Sequence, residues 1–256
     1  MVAEARSRDV AGKDYWRALR SGSAAQTYKT RPLWHAAVAP YLPRRSDWTV
    51  FEVGCVPGGL LAYFHKEFGY NVAGLDYTPH LDLVRATLVL NDVPAAELFE
   101  ADFLQFTSAR QYDVVFSHGF IEHFEHYVEV IKKHVALVRP GGYLVLIVPN
   151  YTHVQYLLHK VFDAENLTRH RFEVMRPRAL LAGVAQCGMV VDYCGYVGTF
   201  DYWVVRRGTG LRRWCVRCAE HIAEDVRRGL TCLGLGDIRN RFLSPFVVCI
   251  AHLPPS

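Results

Sequence analysis

Three acidic residues stand at the ends of short apolar runs: Glu52 in Val50-Phe51-Glu52-Val53, Asp76 in Gly74-Leu75-Asp76, and Asp102 in Glu100-Ala101-Asp102. Carboxylates accept hydrogen bonds and pair with cations, so three of them along one edge suit a ligand rich in amino and hydroxyl donors. Between the first two lies Gly54-Cys55-Val56-Pro57-Gly58-Gly59, followed by the amphipathic run Leu60 to Phe64. Glycine lets backbone approach a ligand closely, and a helix N-terminus offers free N–H groups. A glycine-rich turn alone is weak evidence, because such turns also serve helix–strand packing. A strand, an acid, a glycine-rich turn and a helix in that order build a nucleotide-type site at the carboxyl end of a first strand.

Twelve histidines supply a second kind of chemistry. His118 directly follows an apolar run, His123 and His126 come within the next two turns, and His170 sits in Thr168-Arg169-His170-Arg171. Imidazole titrates near neutral pH and suits proton transfer. His118 is the first candidate base and His170 the second, each weighed against a purely structural role.

The elements that must position these groups follow from hydrophobic patterning. Strands are expected at about 48–53, 71–76, 96–101, 112–117 and 143–148, with helices between them at about 58–68, 78–91 and 125–138. Thr78-Pro79 reads as an N-cap and first helical residue, and Arg139-Pro140-Gly141-Gly142 as a helix stop. Such alternation implies a mostly parallel sheet with helices on both faces. Before it, residues 14–20 and 32–42 read as helices. After it, helices are expected at 153–162, 177–187 and 209–228, and strands at 189–196 and 246–252.

In such a sheet the three acids lie side by side above one crevice. The pattern resembles class I S-adenosylmethionine-dependent methyltransferases over about residues 48–150. Glu52 to Gly59 is similar to motif I, and Ser117 to Phe124 resembles the family's "-EH-" segment. Arg139 to Gly142 before an apolar strand is the family's usual approach to strand five. The resemblance implies a Rossmann-like α/β fold, a doubly wound, seven-stranded, mostly parallel sheet with its last strand antiparallel. It implies S-adenosylmethionine as cofactor. Glu52 would support the loop and the amino-acid end of the cofactor, with Gly54, Cys55 and Gly58 forming the loop. Asp76 with Tyr77 would take the ribose. Asp102 would take the adenine amino group, with Phe103 stacking or offering its backbone. Ser117 and His123 would complete the pocket. Val56 stands where the family usually has glycine.

Residues 1–47 are expected to form an N-terminal helical lid and 48–256 the cofactor-binding domain, with 151–188 and 200–245 as acceptor-side insertions. Tyr28, Trp34, Tyr196, Phe200, Tyr202 and Trp203 could line an acceptor pocket or serve ordinary packing. Residues 1–150 hold 15 Lys/Arg and 16 Asp/Glu, and residues 151–256 hold 14 and 9. The basic second part, with Arg206, Arg207, Arg212, Arg213, Arg217, Arg227 and Arg228, is read as a solvated helix face rather than a nucleic-acid surface, because Glu220, Glu224 and Asp225 share it. Cys215-x-x-Cys218-x-x-His221, even with Cys232 nearby, lacks an evident fourth ligand, so no metal site is expected there.

No run reaches the roughly 18 apolar residues of a membrane span, and Met1 to Arg20 does not read as a secretory signal. Seven scattered cysteines and no sign of export point to a cytoplasmic protein with reduced thiols. The expected activity is methyl transfer to an oxygen or nitrogen of a small-molecule acceptor, in secondary-metabolite or glycan biosynthesis. An RNA or protein methyltransferase, and a catalytically silent cofactor-binding protein, are the alternatives.

Overall fold

A computed structural model describes residues 9–94, 96–202, 209–236 and 238–255. Seven strands form one sheet in the order β3-β2-β1-β4-β5-β7-β6. They are β1 (Thr49–Val53), β2 (Asn71–Asp76), β3 (Glu97–Glu100), β4 (Tyr112–His118), β5 (Val138–Pro149), β6 (Val190–Val197) and β7 (Phe246–His252). The pairs from β3 through to β5 are parallel, and β7 runs antiparallel to both β5 and β6. This is the expected doubly wound sheet with an antiparallel last strand.

Side chains alternate between the two faces of a strand, so each strand feeds two cores. Val50, Val114, Phe116, Val145 and Ile147 face one core, with Leu61 and Phe64 of α3 (Gly59–Phe68) and Val84 and Leu88 of α4 (Leu81–Leu90). Phe51, Val53, Val115, Leu144 and Leu146 face the other. There they meet Val130 and Ile131 of α5 (Tyr127–Ala136) and Leu180 and Val184 of α8 (Pro177–Ala185). Every residue of β1 is buried, as a strand covered on both faces requires.

Ahead of the sheet come α1 (Lys13–Arg20) and the short α2 (His35–Val38). Trp34, Val38 and Leu42 belong to the first core, so only the earlier part of the N-terminal segment stands clear of it. Between β5 and β6 lie α6 (His153–Phe162), α7 (Ala164–Leu167) and α8, and α9 (Gly210–Cys232) precedes β7. No described helix is long and apolar enough to cross a membrane.

Three boundaries depart from expectation. The fourth helix starts at Leu81, because the Thr78 hydroxyl and N–H both bond the Asp76 carboxylate instead of capping a helix. The second helix covers only His35–Val38 of 32–42. Arg139 to Gly142 is part of β5 and not a stop. Gly142 makes that possible, since a Cβ there would sit 2.9 Å from the carbonyl oxygens of Arg139 and Asp113.

Candidate active site

The strand order reverses between β1 and β4, and there the connections leave to opposite sides and a crevice opens. Two cavities occupy it, of about 260 Å³ and about 530 Å³, and both reach Arg20, Gly54 and His118.

The smaller cavity is lined by Asp76 and Tyr77 at the end of β2, Asp102 and Phe103 after β3, and His118, Phe120 and His123 after β4. Lys13, Trp16 and Arg20 of α1 close it from the N-terminal side. The Lys13 ammonium bonds Asp102 Oδ2 at 2.8 Å. The Trp16 ring meets His123 edge-on with centroids 4.7 Å apart. Backbone ties hold this segment down, for example Val10 N–H to the His123 carbonyl at 2.8 Å.

The larger cavity runs along Glu52 and the glycine-rich loop. Gly54 (φ +82°) and Gly58 (φ +97°) take the left-handed turns of that loop, a conformation that costs glycine nothing. A Cβ on Gly54 would lie 3.2 Å from the Phe120 ring, and one on Gly58 3.0 Å from Val84. Val56 is not among the positive-φ residues; it is buried in the first core, and its N–H bonds Asp76 Oδ2 at 3.2 Å. The position therefore accepts valine without strain.

Each expected residue has a definite place. Glu52 is 4% exposed, and its Oε2 has no hydrogen-bond partner. Burial raises its carboxyl pKa to about 8, against the pull of Arg20. Asp76 is spoken for on both oxygens: Oδ1 by Thr78 N–H (2.9 Å) and hydroxyl (2.8 Å), Oδ2 by Val56. A carboxylate offers about four acceptor sites, so one remains. Tyr77 lies at the rim, its hydroxyl donating to the Lys13 carbonyl at 3.4 Å. Asp102 Oδ1 accepts Leu104 N–H at 3.0 Å while Oδ2 holds Lys13. Phe103 is buried edge-on to Phe120. Cys55 lies beneath Gly74, where a Cβ would come within 2.8 Å of its own Cβ.

Two expected residues are elsewhere. Ser117 lies inside β4, 1% exposed, and lines neither cavity. His170 also lines neither; it stacks behind His123 at 4.4 Å between centroids, and its Nδ1–H faces the Asn166 carbonyl at 2.7 Å. Burial, with His123 beside it, pushes its pKa down to about 3. His118 does sit where the two cavities meet, between Trp34 and Phe246. Burial lowers its pKa to about 4, with help from Arg20, so it is neutral at physiological pH. The proposed aromatic acceptor pocket is dispersed. Tyr28 lines the larger cavity, Trp34 is core, Tyr196 packs on the second core, and Phe200 and Tyr202 pack with α6 and α9. Trp203, Arg206 and Arg207 lie outside the described residues.

Residues 26–192 match the profile of the methyltransferase domain family. The chain is a class I methyltransferase. Its cofactor is S-adenosylmethionine. The ligand fits this methyltransferase's crevice on structural grounds: a buried carboxylate, Glu52, with an oxygen left unpartnered beside a glycine turn that a side chain would block. Ubiquinone biosynthesis O-methyltransferase of Rickettsia bellii is 31% identical over 114 residues, 44% of this chain and 47% of the relative. The methyltransferase thus spans about half the length of the curated relatives it matches. Among solved structures, a SAM-dependent methyltransferase from Archaeoglobus fulgidus aligns with a TM-score of 0.53 at 18% identity, over 87% of this chain and 94% of that one. Haemonchus contortus phosphoethanolamine N-methyltransferase 2, in complex with S-adenosylmethionine, aligns with 0.56 at 15%, over 86% and 51%. These two likenesses support the fold.

Lys13, Trp16 and Arg20, which fall within the expected lid, and Glu122, within the "-EH-" segment, carry no individual role in the expected site. The first three carry no spacing signal; only the folded path of α1 brings them to the crevice. Glu122 did carry one, since it stands beside His123 in the "-EH-" segment.

Proposed function

We propose that this chain transfers a methyl group to an oxygen of a small-molecule acceptor, in a biosynthetic pathway for a secondary metabolite or a glycan. The observation that carries the reading is the junction of the two cavities at His118, a neutral imidazole beside Gly54 and Arg20. When bound, S-adenosylmethionine supplies the electrophilic methyl on its sulfonium. Glu52 would accept from its ammonium, Arg20 would pair with its carboxylate, Asp76 would take a ribose hydroxyl with its remaining acceptor site, and Asp102 and Phe103 would hold the adenine. The residues from Asp9 to Arg20 act as a lid that keeps water out.

His118 accepts a hydrogen bond from the acceptor hydroxyl and orients its lone pair at the methyl. Because methyl transfer is an in-line displacement, alignment supplies much of the acceleration. With a pKa of about 4 the imidazole is a weak base that chiefly positions the hydroxyl, yet it suffices to take the proton that the oxygen sheds as the new C–O bond forms, and passes it to solvent. Oxygen is favoured over nitrogen by the curated relative, an O-methyltransferase. Nucleic acid is disfavoured because Glu224 on α9 is already paired with Arg227 and Arg228.

The reading is tested by S-adenosylhomocysteine release with a panel of phenolic, sugar-hydroxyl and amine acceptors. Turnover confined to hydroxyl acceptors supports it; turnover confined to amines, or to RNA, overturns it.

A further inference from the structure

Glu122, His123 and His170 bring one carboxylate and two imidazoles together, with ligand atoms all within 4.8 Å of one another. Glu122 and His123 lie on a 3-10 turn, Ile121–His123, after β4; His170 follows α7. Backbone bonds join the two segments: Arg171 N–H donates to the Glu122 carbonyl at 2.7 Å.

Hydrogen bonding fixes the tautomers. His123 Nδ1 faces the Arg169 carbonyl at 2.8 Å, and His170 Nδ1 faces the Asn166 carbonyl at 2.7 Å. A carbonyl only accepts, so His170 carries its proton on Nδ1 and keeps a lone pair on Nε2; His123 does the same when its proton goes to the Arg169 carbonyl, with the Gly119 carbonyl also against its ring. A backbone carbonyl behind the other ring nitrogen is the usual support of a metal-bound histidine.

The carboxylate makes the stronger case. Glu122 is fully buried; the backbone N–H groups of Phe120 and Glu122 lie near its carboxyl, but no side chain among the described residues bonds either oxygen. Its Oε1 lies 3.7 Å from His123 Nε2, too far for a hydrogen bond. An unpaired buried carboxylate is costly. Two imidazole nitrogens and a carboxyl group converge in the interior with no side-chain donor among the described residues between them, an arrangement that suits a cation.

We propose that Glu122, His123 and His170 form a binding site for one divalent transition-metal ion of the zinc class. Two imidazoles and a carboxylate suit zinc, cobalt or manganese better than magnesium or calcium, which prefer all-oxygen shells. Three protein ligands leave a coordination position for water or for an oxygen of a second molecule. His123 also lines the smaller cavity, so the ion sits just behind the crevice wall. Its use, to raise the polarity of the wall near the His118 junction where an acceptor hydroxyl would sit, rests on the oxygen-acceptor reading above; the binding itself does not. Glu122 and His170 line neither cavity, so substitutions at these two separate metal binding from cofactor binding.

The test uses the full-length protein, stripped with chelator and dialysed against Co²⁺ or Zn²⁺. One equivalent is expected, with visible cobalt d–d bands and no near-ultraviolet thiolate charge-transfer band. His170→Ala and Glu122→Gln should each weaken Zn²⁺ binding by at least about tenfold, while S-adenosylmethionine affinity, measured in the same samples, stays near that of the wild type. The spectrum of the unaltered protein needs no variant to fold. Absence of stoichiometric binding, a thiolate band (which would place the ion on cysteines), or unchanged affinity in folded His170→Ala overturns the proposal.

Discussion

Asp76 Oδ2 accepts the Val56 N–H at 3.2 Å, so the carboxylate ending β2 fastens the glycine-rich loop that follows β1. One side chain thus holds the loop and borders the smaller cavity. Loop geometry and cofactor affinity are coupled through it, and that explains how valine is accommodated at residue 56.

Asp76→Ala should weaken S-adenosylmethionine binding by about 1.5–3 kcal/mol, the range for a hydrogen bond to a charged group. It should also lower the melting temperature, because Val56 and Thr78 lose their buried acceptor. Calorimetry and thermal melts of the variant check both; unchanged affinity contradicts the ribose role.

Glu52 ties stability to pH. Its folded pKa of about 8 lies above the ordinary value of 4.5, so the folded state holds a proton that the unfolded state releases. Stability from this group is fully present below the unfolded pKa and is lost as pH rises through about 8. Glu52→Gln keeps the shape and removes the titration. In the cofactor-free state the variant should melt higher than the wild type at pH 8.5, with the gap closing toward pH 5, and it should bind S-adenosylmethionine more weakly. Parallel melting curves across that range would contradict the assignment.

The central strands were readable because they are continuous apolar runs buried on both faces, as β1 is throughout, whereas the edge strands β3 and β6 keep exposed residues. The acids at 52, 76 and 102 were readable because each ends such a run. What was hidden depends on tertiary pairing. Thr78 looks like a helix cap until Asp76 is seen to claim it. His170 looks like a candidate base until Asn166 and His123 are seen to flank it away from both cavities. Ser117 follows the strand alternation into the interior, which local sequence does not reveal when both faces are covered.

His118→Ala should reduce turnover about tenfold, the cost of one positioning hydrogen bond, with S-adenosylmethionine affinity near that of the wild type. Since burial holds the His118 pKa to about 4, the imidazole is neutral from pH 6 to 9 and contributes no titration there. A wild-type rate profile whose acid limb near pH 6 to 7 vanishes in His118→Ala would contradict this role.

The lid contacts predict a kinetic effect. Lys13 and Asp102 are both partly exposed, and such ion pairs contribute only about 0–1 kcal/mol to stability. Lys13→Ala should leave the melting temperature almost unchanged. Trp16→Ala, which removes the ring against His123, should speed cofactor release. Stopped-flow measurement of S-adenosylhomocysteine dissociation checks this, and identical off-rates would remove α1 from the closure.

The central claim, that the crevice between β1 and β4 holds the methyl donor, is tested most directly by titration calorimetry. S-adenosylmethionine and S-adenosylhomocysteine are titrated into the wild type and Glu52→Gln. The account predicts one site with micromolar affinity for both ligands and a clear loss in the variant. No heat with either ligand, or equal affinity in wild type and variant, would contradict it.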